Sequence, residues 1–396
     1  MMKVLYMRWN SMSADAIVMS MKSLGMEVDE FLFPKDTEDT RSGRELTERI
    51  VMQLMKSTYS FVFSFNYYPV ISIACQTCSV PYISWVYDSP FVQLYSKTVL
   101  FDTNYIFHFD QAEVEKLKEY GVEHIKYMPM GVPVDQYDKM KLEDLTEHER
   151  KKYISDVTFV GSLYTEPKQR LYDRLEKLDQ YTLGFINGIC DAQKNVYGYN
   201  FLQETISKDL EERLQKVAPL TQNTDGFEEI SWVYANYFLA RKVTAMERQE
   251  AMKMLSENFY TKIFTYADTG MLSKLNNMGG LEYEKCPIAF KGAKININIS
   301  LKSIQTGIPL RAMDIMGSGG FLLTNFQSDF LNHFIPDEDF VYYETIADMK
   351  DKVQYYLEHD EERMQIAKNG YQKVKEAFTI KHCLQTMLQT VFGNLL

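Results

Sequence analysis

The densest chemistry in the sequence lies in Gly307-Ile308-Pro309-Leu310-Arg311-Ala312-Met313-Asp314-Ile315-Met316-Gly317-Ser318-Gly319-Gly320. Pro309 suits the start of a helix, because the N–H it lacks would be unpaired there anyway. Gly307 lets a ligand approach the backbone closely, and the free N–H groups of a first helical turn attract an anion. Arg311 on that turn adds a full positive charge. Asp314, three residues on, shares its helix face. This is the chemistry of a phosphate seat with a carboxylate at hand for a ribose hydroxyl. The same residues also fit a capped helix with an Arg–Asp surface pair, followed by a glycine turn into a core strand.

Two further segments carry compatible groups. Phe159-Val160-Gly161-Ser162-Leu163 is a buried-strand pattern ending in glycine, where N–H groups can face the crevice that ligands of open α/β sheets occupy. Lys168 and Arg170 follow, as neutralisers of a diphosphate or as surface cations. Lys294-Ile295-Asn296-Ile297-Asn298 alternates, so Lys294, Asn296 and Asn298 share one strand face. Amides on such a face hydrogen-bond a base or a sugar, or serve as strand-end polar groups. Cys75 and Cys78 have CxxC spacing but no second pair to complete a zinc site.

The elements that must position these groups alternate between strand and helix. Lys3–Met7, Phe61–Phe65, Pro81–Tyr87, Tyr105–Phe109 and His124–Met128 read as strands, with helices over Ala14–Leu24 and Gln111–Tyr120. Residues 1–135 are therefore expected to form one Rossmann-like domain, and the charged stretch 136–156 an interdomain connection. The pattern restarts at Val157 and runs to 378, with a helical insertion over about 171–255. Residues 379–396 are expected to form a closing helix that packs back onto the first domain. The predicted fold class is α/β, two Rossmann-like domains facing a central cleft.

The motif order resembles a known family. The 307–324 segment with Tyr355-Tyr356-Leu357-Glu358-His359-Asp360-Glu361-Glu362-Arg363 is similar to the C-terminal half of the CgeB-like, spore-maturation-type glycosyltransferases. Phe63-Ser64-Phe65-Asn66-Tyr67-Tyr68-Pro69 and Ser84-Trp85-Val86-Tyr87-Asp88-Ser89-Pro90 resemble the domain commonly fused ahead of it. The resemblance implies a GT-B fold, with the acceptor held mainly by the N-terminal half and a sugar nucleotide mainly by the C-terminal half. It assigns Arg311 to the diphosphate, Asp314 to the ribose in place of a glutamate, Gly319 and Gly320 to the turn that follows, and Gly161, Ser162 and Arg170 to the donor loop. UDP-sugar is the first choice of co-substrate, with dTDP- or GDP-sugar the alternatives, and no tightly bound cofactor is expected.

Glycosyl transfer builds charge on the leaving diphosphate while an acceptor hydroxyl loses its proton. Asp88, after a buried-type strand, is the first candidate base, although Asp before Ser-Pro is also a common turn former. Asp110 sits at a similar strand end, or caps the next helix; His108 is the weaker alternative. Thr306 stands eight positions before Asp314, where related retaining enzymes carry a glutamate, so an inverting outcome is expected. Asp337-Glu338-Asp339 is an acidic triplet of the kind that holds a divalent ion on a diphosphate. Basic residues and a helix N-terminus are expected to replace that ion, with no metal ligand.

Composition sets the outer bounds. The chain has 396 residues, 54 acidic and 43 basic, a net charge of −11, which disfavours nucleic acid as a partner. No apolar run approaches the ~20 residues that span a bilayer, and neither a signal peptide nor a transmembrane anchor is read. The five cysteines are scattered, as suits a reducing cytoplasm. The expected partners are a nucleotide-sugar donor and a glycan or protein acceptor such as a surface glycan, a flagellin-like protein or a spore-coat component; the oligomeric state stays open. A catalytically silent GT-B partner or chaperone of an active enzyme is the alternative. A nicotinamide oxidoreductase ranks last, because no GxGxxG follows the first strand of either half.

Overall fold

The computed structural model describes residues 2–272 and 274–393, so the last three positions of the expected closing segment lie outside it. The chain divides into two compact units. One contains residues 2–133, 223–228 and 377–393; the other contains Val134–Gln222 and Glu229–Glu376.

The first unit is built on six parallel strands: β1 (Lys3–Arg8), β2 (Glu27–Leu32), β3 (Phe61–Phe65), β4 (Tyr82–Val86), β5 (Asn104–His108) and β6 (Ile125–Tyr127), in the order β2-β1-β3-β4-β5-β6. The runs FVFSF and YISWV are buried along their whole length, as a parallel sheet covered on both faces requires. The edge strand β2, EVDEFL, has no such run: its polar residues face water, and Glu27 and Asp29 pair with Lys3 at 2.7 and 3.2 Å. The helix Ile380–Phe392 belongs to this unit, where it packs against the helix Ala14–Ser23 and sets Phe392 5.8 Å from Phe61. Residues 223–228 join it as well. Arg41 pairs with Asp225 at 3.1 Å and Glu228 at 3.0 Å, and Phe227 stacks on Tyr120 at 5.2 Å.

The second unit has strands β7 (Ser155–Val160), β8 (Thr261–Phe264), β9 (Asn276–Asn277), β10 (Ala293–Asn298), β11 (Leu322–Asn325) and β12 (Val341–Tyr343), all parallel, in the order β12-β11-β10-β7-β8-β9. Counted within the unit this is the 3-2-1-4-5-6 order of dinucleotide-binding sheets, which reverses between β7 and β10. In the first unit the reversal falls between β1 and β3. The stretch between β7 and β8 is helical, including Gln180–Lys194, Lys208–Val217 and Ala240–Asn258, and packs its own core of Ile186, Leu202, Leu214, Tyr234 and Phe238.

The stretch read as a connection, 136–156, is structured and lies within the second unit. Val134–Asp138 is a helix, and Glu147–Tyr153 is another, opened by a capping box between Thr146 and Glu149. Charge alone suggested a linker, but here the charges cap and flank short helices. Among the described residues no helix is long and apolar enough to cross a membrane.

Candidate nucleotide site

At the carboxyl ends of β7 and β8 the second unit holds a pocket of about 600 Å³, lined by Gly161, Ser162, Lys168, Thr265, Tyr266 and Arg311 among others. Arg311 lies on the first turn of the helix Leu310–Gly317, and Pro309 stands just before it as the N-cap. The guanidinium is half-buried, 5.4 Å from the centre of the Phe290 ring. Its Nη1 is 3.5 Å from Asp314 Oδ2. A cation, a helix N-terminus and a loop after the first strand thus border one concave space, which is the arrangement that receives an anionic ligand.

Asp314 does not serve as predicted. It is buried, and its Oδ1 accepts hydrogen bonds from the hydroxyls of Tyr137 and Tyr283, each at 2.8 Å. With both oxygens engaged inside the protein it is not presented to a ribose; it anchors Arg311 and ties the Val134–Asp138 helix to the Leu310–Gly317 helix. Tyr137 lies 177 residues from Asp314 in the chain, so no local spacing announces the contact.

Burial pushes the Asp314 carboxyl up from 3.8 to about 6. A raised folded-state value favours the fold fully below about 3.8, and that contribution is lost as pH rises through about 6. Against an Asp314→Asn variant, the wild type is therefore expected to lose about 3 kcal/mol of relative stability between about pH 4 and pH 8. Urea unfolding of both proteins across that range measures it; a constant difference would contradict the assignment.

The loop after β7 is held by its own contacts. Gly161 N–H donates to Phe264 O at 3.1 Å, so that group closes the sheet and is not offered to a ligand. Ser162 Oγ donates to Glu166 Oε2 at 2.7 Å and accepts from Tyr164 N–H at 2.8 Å. Arg248, absent from the sequence reading, is buried and donates from Nη1 to Ser162 O at 2.6 Å and from Nη2 to Ile299 O. It ties the carboxyl ends of β7 and β10 together where the strand order reverses. The pocket cation on this loop is Lys168; Arg170 is exposed and pairs with Asp173 at 2.6 Å, away from the lining.

Three predicted donor residues lie at the other end of the sheet. Lys294 is the second residue of β10, and Gly319 and Gly320 precede β11, so all three border a separate pocket of about 500 Å³ at the amino ends of the strands. Because the strands run parallel, residues before a strand and residues after one occupy opposite edges. Lys294 pairs there with Asp156 at 2.8 Å. Gly319 supplies a positive φ of 79° to the turn, and a side chain at Gly320 would come within 2.7 Å of the Asn296 amide. Asn296 is 0% exposed and donates to Phe290 O and Phe321 O, both at 3.2 Å. It braces the sheet interior and faces no ligand space.

Of the acidic triplet, Asp339 is buried and engaged, while Asp337 and Glu338 are exposed. Asp339 accepts from Ile335 N–H at 2.7 Å and from Lys373 Nζ at 2.5 Å. Among the described residues, no three His, Cys, Asp or Glu side chains are grouped to hold a metal.

In the first unit, Asp88 follows β4 as predicted and accepts from Asn66 Nδ2 at 2.7 Å. Asp110 caps the helix Gln111–Glu119, accepting from Ala112 N–H at 3.2 Å. His108 is buried against Phe109; its Nδ1 accepts from Asp110 N–H at 3.0 Å, and burial pushes its pKa down to about 4. These two residues are taken up by capping and packing.

Residues 244–389 match a family model described as glycosyl transferase-like. No curated protein sequence matches the chain. Among solved structures, Alr3699/HepE of Anabaena in complex with UDP-glucose aligns over 99% of both chains, with a TM-score of 0.54 and 11% identity. Sucrose-phosphate synthase from Thermosynechococcus elongatus aligns over 99% of both chains, with a TM-score of 0.53 and 11% identity. A glycosyltransferase from Rickettsia africae does so over 99% of both, at 0.51 and 10%. The two Rossmann-like units share the GT-B fold of these structures, and residues 244–389 of the second unit carry the glycosyl transferase-like match. The matched segment contains Arg311, Asp314 and Arg248, the residues that build and brace the pocket in the second unit.

Proposed function

We propose that the protein moves a sugar from a nucleoside diphosphate sugar to an acceptor hydroxyl, with inversion and with cationic residues in place of a metal ion. The observation that carries this reading is Arg311, set on a helix N-terminus at the rim of the pocket beside Lys168. In the reaction, the acceptor oxygen attacks the anomeric carbon, the bond from that carbon to the diphosphate breaks, and the departing oxygen keeps the electron pair. Arg311, Lys168 and the helix N-terminus meet the charge that develops there. The acceptor proton passes to a carboxylate, for which Asp88 is the proposed base.

UDP-sugar is the first candidate donor, since Alr3699/HepE of Anabaena holds UDP-glucose on the same fold. The resemblance of the motifs to those of the CgeB-like enzymes supports a glycan or protein acceptor. The five cysteines are free, which supports action in the reducing cytoplasm.

Thermal unfolding with UDP-, dTDP-, GDP- and CMP-sugars, each with magnesium and with EDTA, tests the donor site. One nucleotide class is expected to raise the midpoint in EDTA as well as in magnesium. Failure of every nucleotide to shift it would remove the site, and a strict need for magnesium would return Asp337–Asp339 to consideration.

A further inference from the structure

The first unit has a second candidate crevice, built by residues that the nucleotide pocket does not use. Its strand order reverses between β1 and β3, and open α/β sheets bind ligands outside the carboxyl ends of strands at such a point. Trp9 follows β1, Asn66 follows β3, Tyr87 and Asp88 follow β4, and Lys35 lies just beyond β2. Trp85 and Trp232 are 0% and 4% exposed, whereas Trp9 is only partly covered.

Trp9 is nonetheless held in place. Its Nε1 donates to Phe65 O at 3.3 Å, and its ring lies 6.2 Å from Tyr87 at an interplanar angle of 32°. The Lys35 ammonium sits 4.0 Å from its ring centre. Beside this pair, Asn66 accepts the N–H groups of Tyr87 and Asp88 at 3.1 and 3.3 Å while donating to the Asp88 carboxylate. To do so it adopts a φ of 57°, a left-handed conformation that few residues other than glycine and asparagine tolerate. A fixed, half-open aromatic pair next to an oriented carboxylate is a surface for a ligand that is apolar on one face and hydroxylated at its edge.

We infer that this crevice binds the pyranose ring of a glycan acceptor, its C–H face on Trp9 and Tyr87 and one hydroxyl on Asp88. The inference rests on the reading of the protein as a glycosyltransferase and narrows it, because a bare serine or threonine side chain offers no such face. Lys35 and Asp88 oppose each other in charge beside the aromatic pair, which suits an uncharged sugar.

The test uses the full chain and two probes. Saturation-transfer NMR reads binding of the methyl glycosides of glucose, galactose, mannose and N-acetylglucosamine; calorimetry reads binding of UDP. At least one glycoside is expected to bind, roughly tenfold more weakly in Trp9→Ala, with Trp9→Phe recovering much of the loss and UDP affinity unchanged in both. In 5-fluorotryptophan-labelled wild-type protein, the fluorine resonance of Trp9 is expected to move with that glycoside while those of Trp85 and Trp232 stay, a readout that needs no variant to fold. If UDP binds but no glycoside does, or if a glycoside binds without moving the Trp9 resonance, the acceptor assignment falls and the donor reading stands. If UDP fails to bind while a glycoside binds, it is UDP as the donor nucleotide that falls, and the acceptor assignment stands.

Discussion

Replacing Arg311 by alanine is expected to weaken UDP binding roughly 10- to 100-fold, the worth of a charge-assisted contact in a partly dry site. The guanidinium is held from behind by Asp314, which two tyrosines in turn hold, so little of its freedom remains to be lost when a diphosphate arrives. Arg311→Lys keeps the charge but not the planar fork, and an intermediate loss is expected. Arg170→Ala is the control: its exposed pair with Asp173 lies off the pocket, and affinity is expected to be unaltered. Isothermal calorimetry with UDP reads all three. Equal affinities in wild type and Arg311→Ala would remove Arg311 from the site.

The second large effect is expected at Asp88. Asp88→Asn is nearly isosteric and keeps an oxygen to accept from Asn66, so the fold and UDP affinity are expected to persist while transfer drops by roughly 10²- to 10⁴-fold, the usual range for a general base. Burial raises the Asp88 pKa, opposed by the nearby Lys35 and the Asn66 hydrogen bond. A raised value makes the carboxylate a better proton acceptor. It also sets the direction of the pH profile: the carboxylate must be ionised, so wild-type turnover falls as pH drops through that raised value, and the residual rate of the variant lacks this limb. Full turnover in Asp88→Asn would show that the proton goes elsewhere.

What could be read from the chain follows the range of the interactions. The buried runs of β3 and β4 were visible because a parallel sheet covered on both faces needs continuous apolar residues, while β2 was missed because it is a polar edge strand. Arg311 and Asp314 are three residues apart on one helix, so their pairing was visible too. The role of Asp314 was not, because it depends on Tyr137 and Tyr283, brought in from distant segments by tertiary packing. Lys294, Gly319 and Gly320 were misplaced although the rule that located Gly161, that the crevice lies after a strand and not before it, already separated them.

The division of the chain also has a consequence for its synthesis. The sheet β1–β6 leaves the ribosome first, yet the helix that packs on Ala14–Ser23 and brings Phe392 to Phe61 is made only after the entire second unit. The partners of Arg41, Asp225 and Glu228, arrive partway through. Domains generally fold in order as they emerge; here the earlier one must wait with part of its apolar surface uncovered until the later one has been translated. Nascent chains stalled before residue 377 are thus expected to expose that surface, and crosslinking of pulse-labelled chains to chaperones would read it.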